Sequence, residues 1–402
     1  MNPVVAFVVV MAVWTVSDFV AKKTKSLLSS LFVASIIFLI GFLSGIFPDD
    51  LLRASSLLAL AGVVVGFIIV HLGTMISLDD FIKQWKTFLI GFATVIGIGI
   101  MLLVASLIFG SRISGAAADG YAQALDFVIA GTGALSGGTI SVLIIQEAAL
   151  GVGLTSIAIF PVLIAALQGL VGFPLTSIIL KREASRLKGE YRAGNLPAPV
   201  EDDAEGAEPK TILPPAFRTT AGTLFIVGVA VLVAIGVNNL TGGTLNTFVV
   251  ALILGVALRT LGVFKPSVLG GIDSLGLMMI AIMILVFGPL ATIEPADVTA
   301  LALPLFLAFT FGVVGIAGFS ALVGKLVGYS IPMSVAIGLT SLYGFPGTMI
   351  LSQEAARGAG ETPEEVAAIE GQILPKMIVA GFSTVTITSV VVTSIIAAGI
   401  GR

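Results

Sequence analysis

The 402-residue chain has no cysteine, one histidine and two tryptophans. Without cysteine there are no disulfides and no thiol chemistry, and one histidine does not make a zinc or iron site. Charge is scarce too: Asp, Glu, Lys and Arg make up 11% of the chain, against 57% hydrophobic residues. Soluble domains carry roughly 25% charged residues, so no water-facing surface can be built here and the chain reads as an integral membrane protein. No G-x-x-x-x-G-K-[ST] phosphate loop, H-E-x-x-H zinc helix or G-x-S-x-G elbow occurs, which argues against ATP as driving force and against hydrolysis. No enzyme activity is expected. No basic cluster with interleaved aromatics points to nucleic acid.

What is abundant is long apolar runs and glycine, 47 in all. Runs near 20 residues suit membrane helices, and glycine lets such helices approach closely. Full spans are expected near 3–20, 27–47, 55–77, 86–109 and 154–180, then near 219–238, 245–263, 275–293, 301–328 and 371–397. The first, without a basic leader, is expected to be a retained span rather than a cleaved signal. Two shorter interrupted segments, near 125–150 and 332–358, fall between the fourth and fifth span of each half. A polar linker, 181–217, separates a first half (1–180) from a second (218–402).

One phrase occurs twice. The first copy runs Leu135-Ser-Gly-Gly-Thr139 and ends Gln146-Glu147-Ala-Ala-Leu-Gly-Val-Gly153. The second runs Tyr343-Gly-Phe-Pro-Gly-Thr348 and ends Gln353-Glu354-Ala-Ala-Arg-Gly-Ala-Gly360. A glycine-broken apolar segment at the same place in each half is the best sequence pointer to a transport site. A glycine or proline kink in an ordinary helix accounts for either copy alone; the matched pair favours a duplicated site.

Lys and Arg set the orientation, since cytoplasmic loops carry their excess. With the interrupted segments re-entrant and both termini outside, all basic residues except Arg53, Arg112 and Arg402 fall inside, those of the linker included. Five spans per half then invert the second half, and the two phrases dip in from opposite faces. The expected fold is all-α, two inverted repeats of five transmembrane helices, each with a re-entrant hairpin, in the cell (inner or plasma) membrane.

A re-entrant tip offers free N–H groups at the positive end of a helix dipole, which suits a carboxylate, while the preceding carbonyls suit Na⁺. The substrate-binding candidates are Ser136, Gly137, Gly138, Thr139 and Ser141 in the first copy, with Gly344, Pro346, Gly347, Thr348 and Ser352 in the second. The ion-coupling candidates are Gln146, Glu147, Gln353, Glu354, His71, Thr74 and Asp126. Each has a plainer reading: the glutamates as boundary carboxylates, His71 as a hydrogen-bonded packing residue, Asp126 as a cap. The edge His71, Gly73, Thr74 and Ser77 is a possible lining for the first tip, and Asp18 is expected to pair with Lys22. No intramembrane Arg or Lys announces a dicarboxylate; Arg357 and Lys376 read as interfacial.

This plan resembles the bacterial sodium/glutamate symporters and, more distantly, the 2-hydroxycarboxylate transporters. Leu135–Thr139, Tyr343–Thr348 and the phrase Val70-His-Leu-Gly-Thr-Met-Ile-Ser77 carry the resemblance. The glutamate symporters continue Ser-Gly-Gly with His-Gly-Thr, whereas here Thr139 follows Gly138 directly. The resemblance implies a homodimer, a moving domain that holds the hairpins, and Na⁺ as coupling ion. The expected function is Na⁺-coupled symport of a small organic anion or amino acid by an elevator-type mechanism, with no other cofactor. A monovalent cation/proton antiporter is the alternative; a channel or a membrane anchor is a further one.

Overall fold

The structure is a computed structural model that describes residues 1–76, 78, 82, 84–113, 120–196, 211–242, 245, 247–382, 384 and 388–401. Ser77, Lys83, Lys210 and Arg402 lie outside the described residues, as does the side chain of Thr139. Among the described residues the chain is helical, with no strand. The first half holds α1 (Pro3–Lys23), α2 (Ser30–Leu43), α3 (Leu57–Met75), α4 (Trp85–Ile113), α5 (Gly120–Leu135), α6 (Thr139–Gly151) and α7 (Thr155–Arg192). The second holds α8 (Thr220–Leu240), α9 (Thr247–Thr260), α10 (Leu275–Ile284, continued by a 3₁₀ run Leu285–Thr292), α11 (Ala302–Leu326), α12 (Ile331–Leu339), α13 (Gly347–Ala359), α14 (Pro363–Phe382) and α15 (Ser389–Ala397). The lengths repeat in order: α1 and α8 have 21 residues each, α2 and α9 14 each, α6 and α13 13 each.

Among the described residues seven helices are long and apolar enough to cross a membrane: α1, α3, α4, α7, α8, α10 with its 3₁₀ run, and α11. Three of the expected spans come out differently. α2 and α9 reach only about 21 Å at 1.5 Å per residue, short of a hydrocarbon core of about 30 Å. α2 begins where Ser29 Oγ accepts the Phe32 N–H, and α9 stops before Gly262, at φ +73°. The last span is described in two stretches. α14 starts early, at the sequence Thr362-Pro-Glu-Glu365, where Thr362 Oγ1 accepts the Glu365 N–H in a capping arrangement. It ends at Phe382, and α15 starts at Ser389. Of the residues between them the structure describes Thr384 and Thr388, both in π-helical conformation.

The polar linker also begins later than composition suggests. α7 runs 38 residues, past Leu180 and through Arg192, so it extends beyond its apolar part by roughly 18 Å. At the other end of the linker Thr211 Oγ1 donates to Val263 O at 2.6 Å and Ile212 N to Gly262 O at 3.0 Å.

The chain forms two compact units. The first comprises 1–10, 50–85 and 197–286. Its centre is α3, with α8, α9 and α10 packed on it. Gly73 and Gly255 meet there: a side-chain carbon on Gly73 would lie 2.4 Å from Leu252 O. The second comprises 11–49, 86–196 and 287–402, and contains both copies of the repeated phrase. Its centre is α7, against which α5, α6, α12, α13 and α14 all pack. α4 and α11 cross at Gly97 and Gly315, where a side-chain carbon on Gly315 would lie 2.3 Å from Gly97 O.

Candidate functional site

α7 measures where each hairpin runs within the second unit. Phe160, near its start, packs against Phe127 of α5 with ring centroids 5.4 Å apart and planes tilted by 35°. Near its middle Thr176 Oγ1 accepts from Tyr343 Oη at 3.1 Å, and a side-chain carbon on Gly172 would strike Leu342 and Tyr343. Further on, Glu183 Oε2 accepts from Ser330 Oγ at 2.7 Å, and Lys188 and Arg192 pair with Glu361. Ser330 and Glu361 are the two feet of α12–α13. Both lie on the C-terminal part of α7, while the turn between them sits at least two turns, ~10 Å, nearer its N-terminus. α12–α13 thus has both its ends towards one end of α7.

α5–α6 does the same from the other end. Its feet are Asp126 and Val152: Gly401 N donates to Asp126 Oδ1 at 2.9 Å, and a side-chain carbon on Gly401 would lie 3.0 Å from Val152. Its turn instead meets Ser389, roughly three turns away at the far end of α15. α4 agrees. Gly110 lies beside Ala124 and Gly99 beside Thr132 on α5, whereas Thr87 at the opposite end is 3.3 Å from Tyr329 Oη, at the foot of α12. The two turns approach along α11 too, Gly312 facing Leu135 and Ser320 facing Gly338.

The first turn is made by Gly137 and Gly138, at φ +85° and +88°, a region that side chains avoid. Around it four oxygens converge. Ser389 Oγ is 2.8 Å from Ser136 Oγ and 2.6 Å from Ser141 Oγ, and it donates to Gly137 O. All three serines are wholly buried. Gly138 caps α6, so α6 points its N-terminus at this cluster. The second turn places Gly344 at φ +58° and Pro346 as the cap of α13. Gly347 opens α13 flush against the Tyr343 ring. Thr348 is wholly buried and its hydroxyl has no partner, whereas Ser352 uses its own on Thr348 O at 2.6 Å.

The end of α14 and the start of α15 lie between the turns. Ser389 on one side bonds to the first; Gly381 on the other faces Thr348 of the second, 3.1 Å from its Oγ1 for a side-chain carbon. Thr384, between α14 and α15, is wholly buried with an unpartnered hydroxyl that faces Gly91 of α4. Ser341 Oγ, Thr393 Oγ1 and Gln168 Oε1 are likewise buried without partners. Buried polar atoms normally find partners, so the unpartnered hydroxyl of Thr348, at the start of α13, is free to meet a ligand. Sequence reading missed Gln168, Thr176, Ser341, Thr384, Ser389 and Thr393. Two signals were available: a lone amide in Ile164-Ala-Ala-Leu-Gln168-Gly-Leu, and the hydroxyl run 383–389.

The remaining candidates part company. Glu147 is exposed and Gln146 half-buried. Gln353 Nε2 donates to Glu370 Oε1 at 3.2 Å. Glu354 Oε1 accepts from Ser30 N at 3.1 Å and from Ser30 Oγ at the N-terminus of α2, while its Oε2 is buried without a partner. Asp126 is buried. His71 and Thr74 belong to the first unit, where His71 Nδ1 accepts from Leu269 N at 3.1 Å and Thr74 Oγ1 from Val268 N at 3.0 Å. Their polar atoms are used within that unit. Asp18 pairs with Lys22 at 2.7 Å.

Beyond the apolar part of α7, Arg192 Nε reaches Glu365 Oε1 at 2.6 Å and its NH2 reaches Glu361 Oε2 at 2.8 Å. Hydrogen bonds from Lys188 and Arg192 hold the Glu361 carboxyl down at about 2, and that from Arg192 lowers Glu365. A lowered carboxylate stabilises the fold fully above its unfolded value, 4.5 for Glu361, and loses that contribution as pH falls towards 2. Glu361→Gln should therefore unfold at a slightly lower temperature than the parent at pH 7. The gap should close on acidification to pH 3 and below; thermal unfolding across that range checks it.

Comparison with protein-family models and with curated proteins finds no match to this chain.

Proposed function

We propose that the chain is a secondary active transporter that carries a small organic anion or amino acid together with Na⁺. The observation that carries this reading is the pair of helical turns whose flanking helices have their ends at opposite ends of α7 and α4 and which lie about the end of α14 and the start of α15. In a membrane, such a pair is a pair of re-entrant loops from opposite faces. The repeated helix lengths support two inverted repeats, the architecture in which broken helices hold substrate and ions near the midplane. Irregular backbone is tolerated at that depth where it lines a site.

The chemistry divides between the turns. Hydroxyls and a carbonyl are hard oxygen ligands, so Ser136, Ser141, Ser389 and Gly137 O form the Na⁺ site. The N-terminus of α6 faces the anion with its first N–H groups, the start of α13 adds the positive end of its dipole, and Thr348 and Ser341 supply hydroxyls. Na⁺ draws α15 and the first turn together and so completes the place where the anion binds. The second unit, loaded, moves between the two faces of the membrane. The protein works as a homodimer in the cell membrane, with both termini outside and the linker in the cytoplasm.

One observation favours a second reading, a cation/proton antiporter. Glu354 is a carboxyl with one oxygen held by Ser30 and the other buried and unpartnered, a fit for a carried proton. Vesicles separate the two. Symport predicts that an inward Na⁺ gradient drives tracer uptake from a panel of carboxylates and amino acids, and that K⁺ does not replace it. If no solute is taken up, while Na⁺ or K⁺ pulses move an internal pH dye and Glu354→Gln stops this, the antiporter reading takes its place.

A further inference from the structure

We infer that the substrate carries a single ionised group, one carboxylate: it is a small monocarboxylate with neutral hydrogen-bonding substituents, not a dicarboxylate or an acidic amino acid. This rests on the symport reading and narrows it.

The charge inventory around the turns is one-sided. No Lys, Arg or His occurs in residues 87–111 of α4, 120–151 of α5 and α6, 155–180 of α7, 302–324 of α11, 331–356 of α12 and α13, or 377–401 of α14 and α15. These are the stretches that pack about the two turns. A second carboxylate in a dry site needs a guanidinium or ammonium to hold it, and none is within these stretches; Lys86, Arg112, Lys181, Lys325, Arg357 and Lys376 stand just beyond their ends. The acids in the same stretches do not compete for a cation there. Asp126 is committed to Gly401 N, Glu354 to Ser30, and Glu147 is exposed.

What the site does offer is neutral. The N-terminus of α6 supplies N–H groups, and α6 and α13, each a 13-residue helix, bring about half a positive charge apiece, enough to seat one carboxylate. Independently of the helix ends, Ser341 and Thr348 hold wholly buried hydroxyls without partners, and Gln168 holds a buried amide oxygen. Thr348 stands in the first turn of α13, so carboxylate and neutral donors are adjacent. Gly381 keeps that face clear: a side-chain carbon there would come within 3.1 Å of Thr348 Oγ1 and 3.4 Å of Phe345 N.

Charge balance points the same way. The described residues bring one cluster of hydroxyl and carbonyl oxygens together at the turns, that around Ser389, and its ligands are all neutral. One Na⁺ and one monocarboxylate sum to zero in a centre without ionic side chains. A loaded body of zero net charge crosses the bilayer interior at least cost, whereas a dicarboxylate leaves a net negative charge.

Proteoliposomes with an inward Na⁺ gradient test this with lactate, glycerate, propionate, malate, succinate and glutamate. Lactate and glycerate are expected to enter, without sensitivity to an imposed membrane potential. Propionate, which lacks the hydroxyl, is expected to enter roughly tenfold less well. Thr348→Val keeps the shape and removes a hydroxyl that bonds to nothing in the fold, so it should fold and should shrink the lactate-to-propionate ratio towards one. Uptake of malate, succinate or glutamate as fast as lactate would overturn the inference and leave symport standing. Uptake of none of the six, with no Na⁺-dependent thermal shift from any, would overturn the symport reading itself.

Discussion

Ser389→Ala should lower the apparent affinity for Na⁺ by roughly ten- to a hundredfold while the protein stays folded. Ser389 Oγ is the hub of the oxygen cluster, within 2.8 Å of Ser136 Oγ and 2.6 Å of Ser141 Oγ and bonded to Gly137 O. Alanine removes one proposed ligand and at the same time the atom that holds the others in register with the turn. Ser136 retains its bond to Gly133 O at 2.9 Å, so the α5 end itself does not unravel. Ser394→Ala is the control: that hydroxyl is exposed and bonds its own helix at Val390 O, and its loss should change nothing. The Na⁺ dependence of thermal stability reads both. An unchanged Na⁺ midpoint in Ser389→Ala would move the ion site elsewhere.

Gly138→Val should reduce uptake on the order of a hundredfold, because small misplacement of a positioning group has that effect. Gly138 sits at φ +88°, ψ +127°, as the cap of α6. A β-branched residue is strained there by about 1–3 kcal/mol, and the chain relieves the strain by turning the first N–H groups of α6 away from the site. Gly62→Val controls for adding bulk to a membrane helix: nothing lies within 4 Å of a side-chain carbon at Gly62. It should elute and transport like the parent. Full transport by Gly138→Val would remove the first turn from the site.

The two turns were legible because glycine and proline act locally. Gly138 and Pro346 stand at the starts of α6 and α13, as the sequence led one to expect, and the repeated Gln-Glu-Ala-Ala ending drew attention to both. The same ending misleads about its own role. Glu147 and Glu354 have the same sequence surroundings, yet one is exposed and the other is held by Ser30, far away in the chain. Asp126 is buried because Gly401 caps it, and His71 is occupied by Leu269; tertiary partners at such separations leave no local trace. Ser389 was overlooked because the threonines and isoleucine before it are apolar enough to pass as a span, so its hydroxyl drew no notice. Gln168 was overlooked for a like reason, a single amide within a strong apolar signal.

The account stands on two hairpins entering from opposite faces, and the lack of cysteine makes that directly measurable. Gly151→Cys marks an exposed foot of the first hairpin and Glu364→Cys an exposed position just beyond the second. In sealed right-side-out vesicles a membrane-impermeant maleimide should label Gly151→Cys at once, and Glu364→Cys only after the membrane is opened. Labelling of both from the same side would contradict the inverted arrangement, and with it the shared site between the turns.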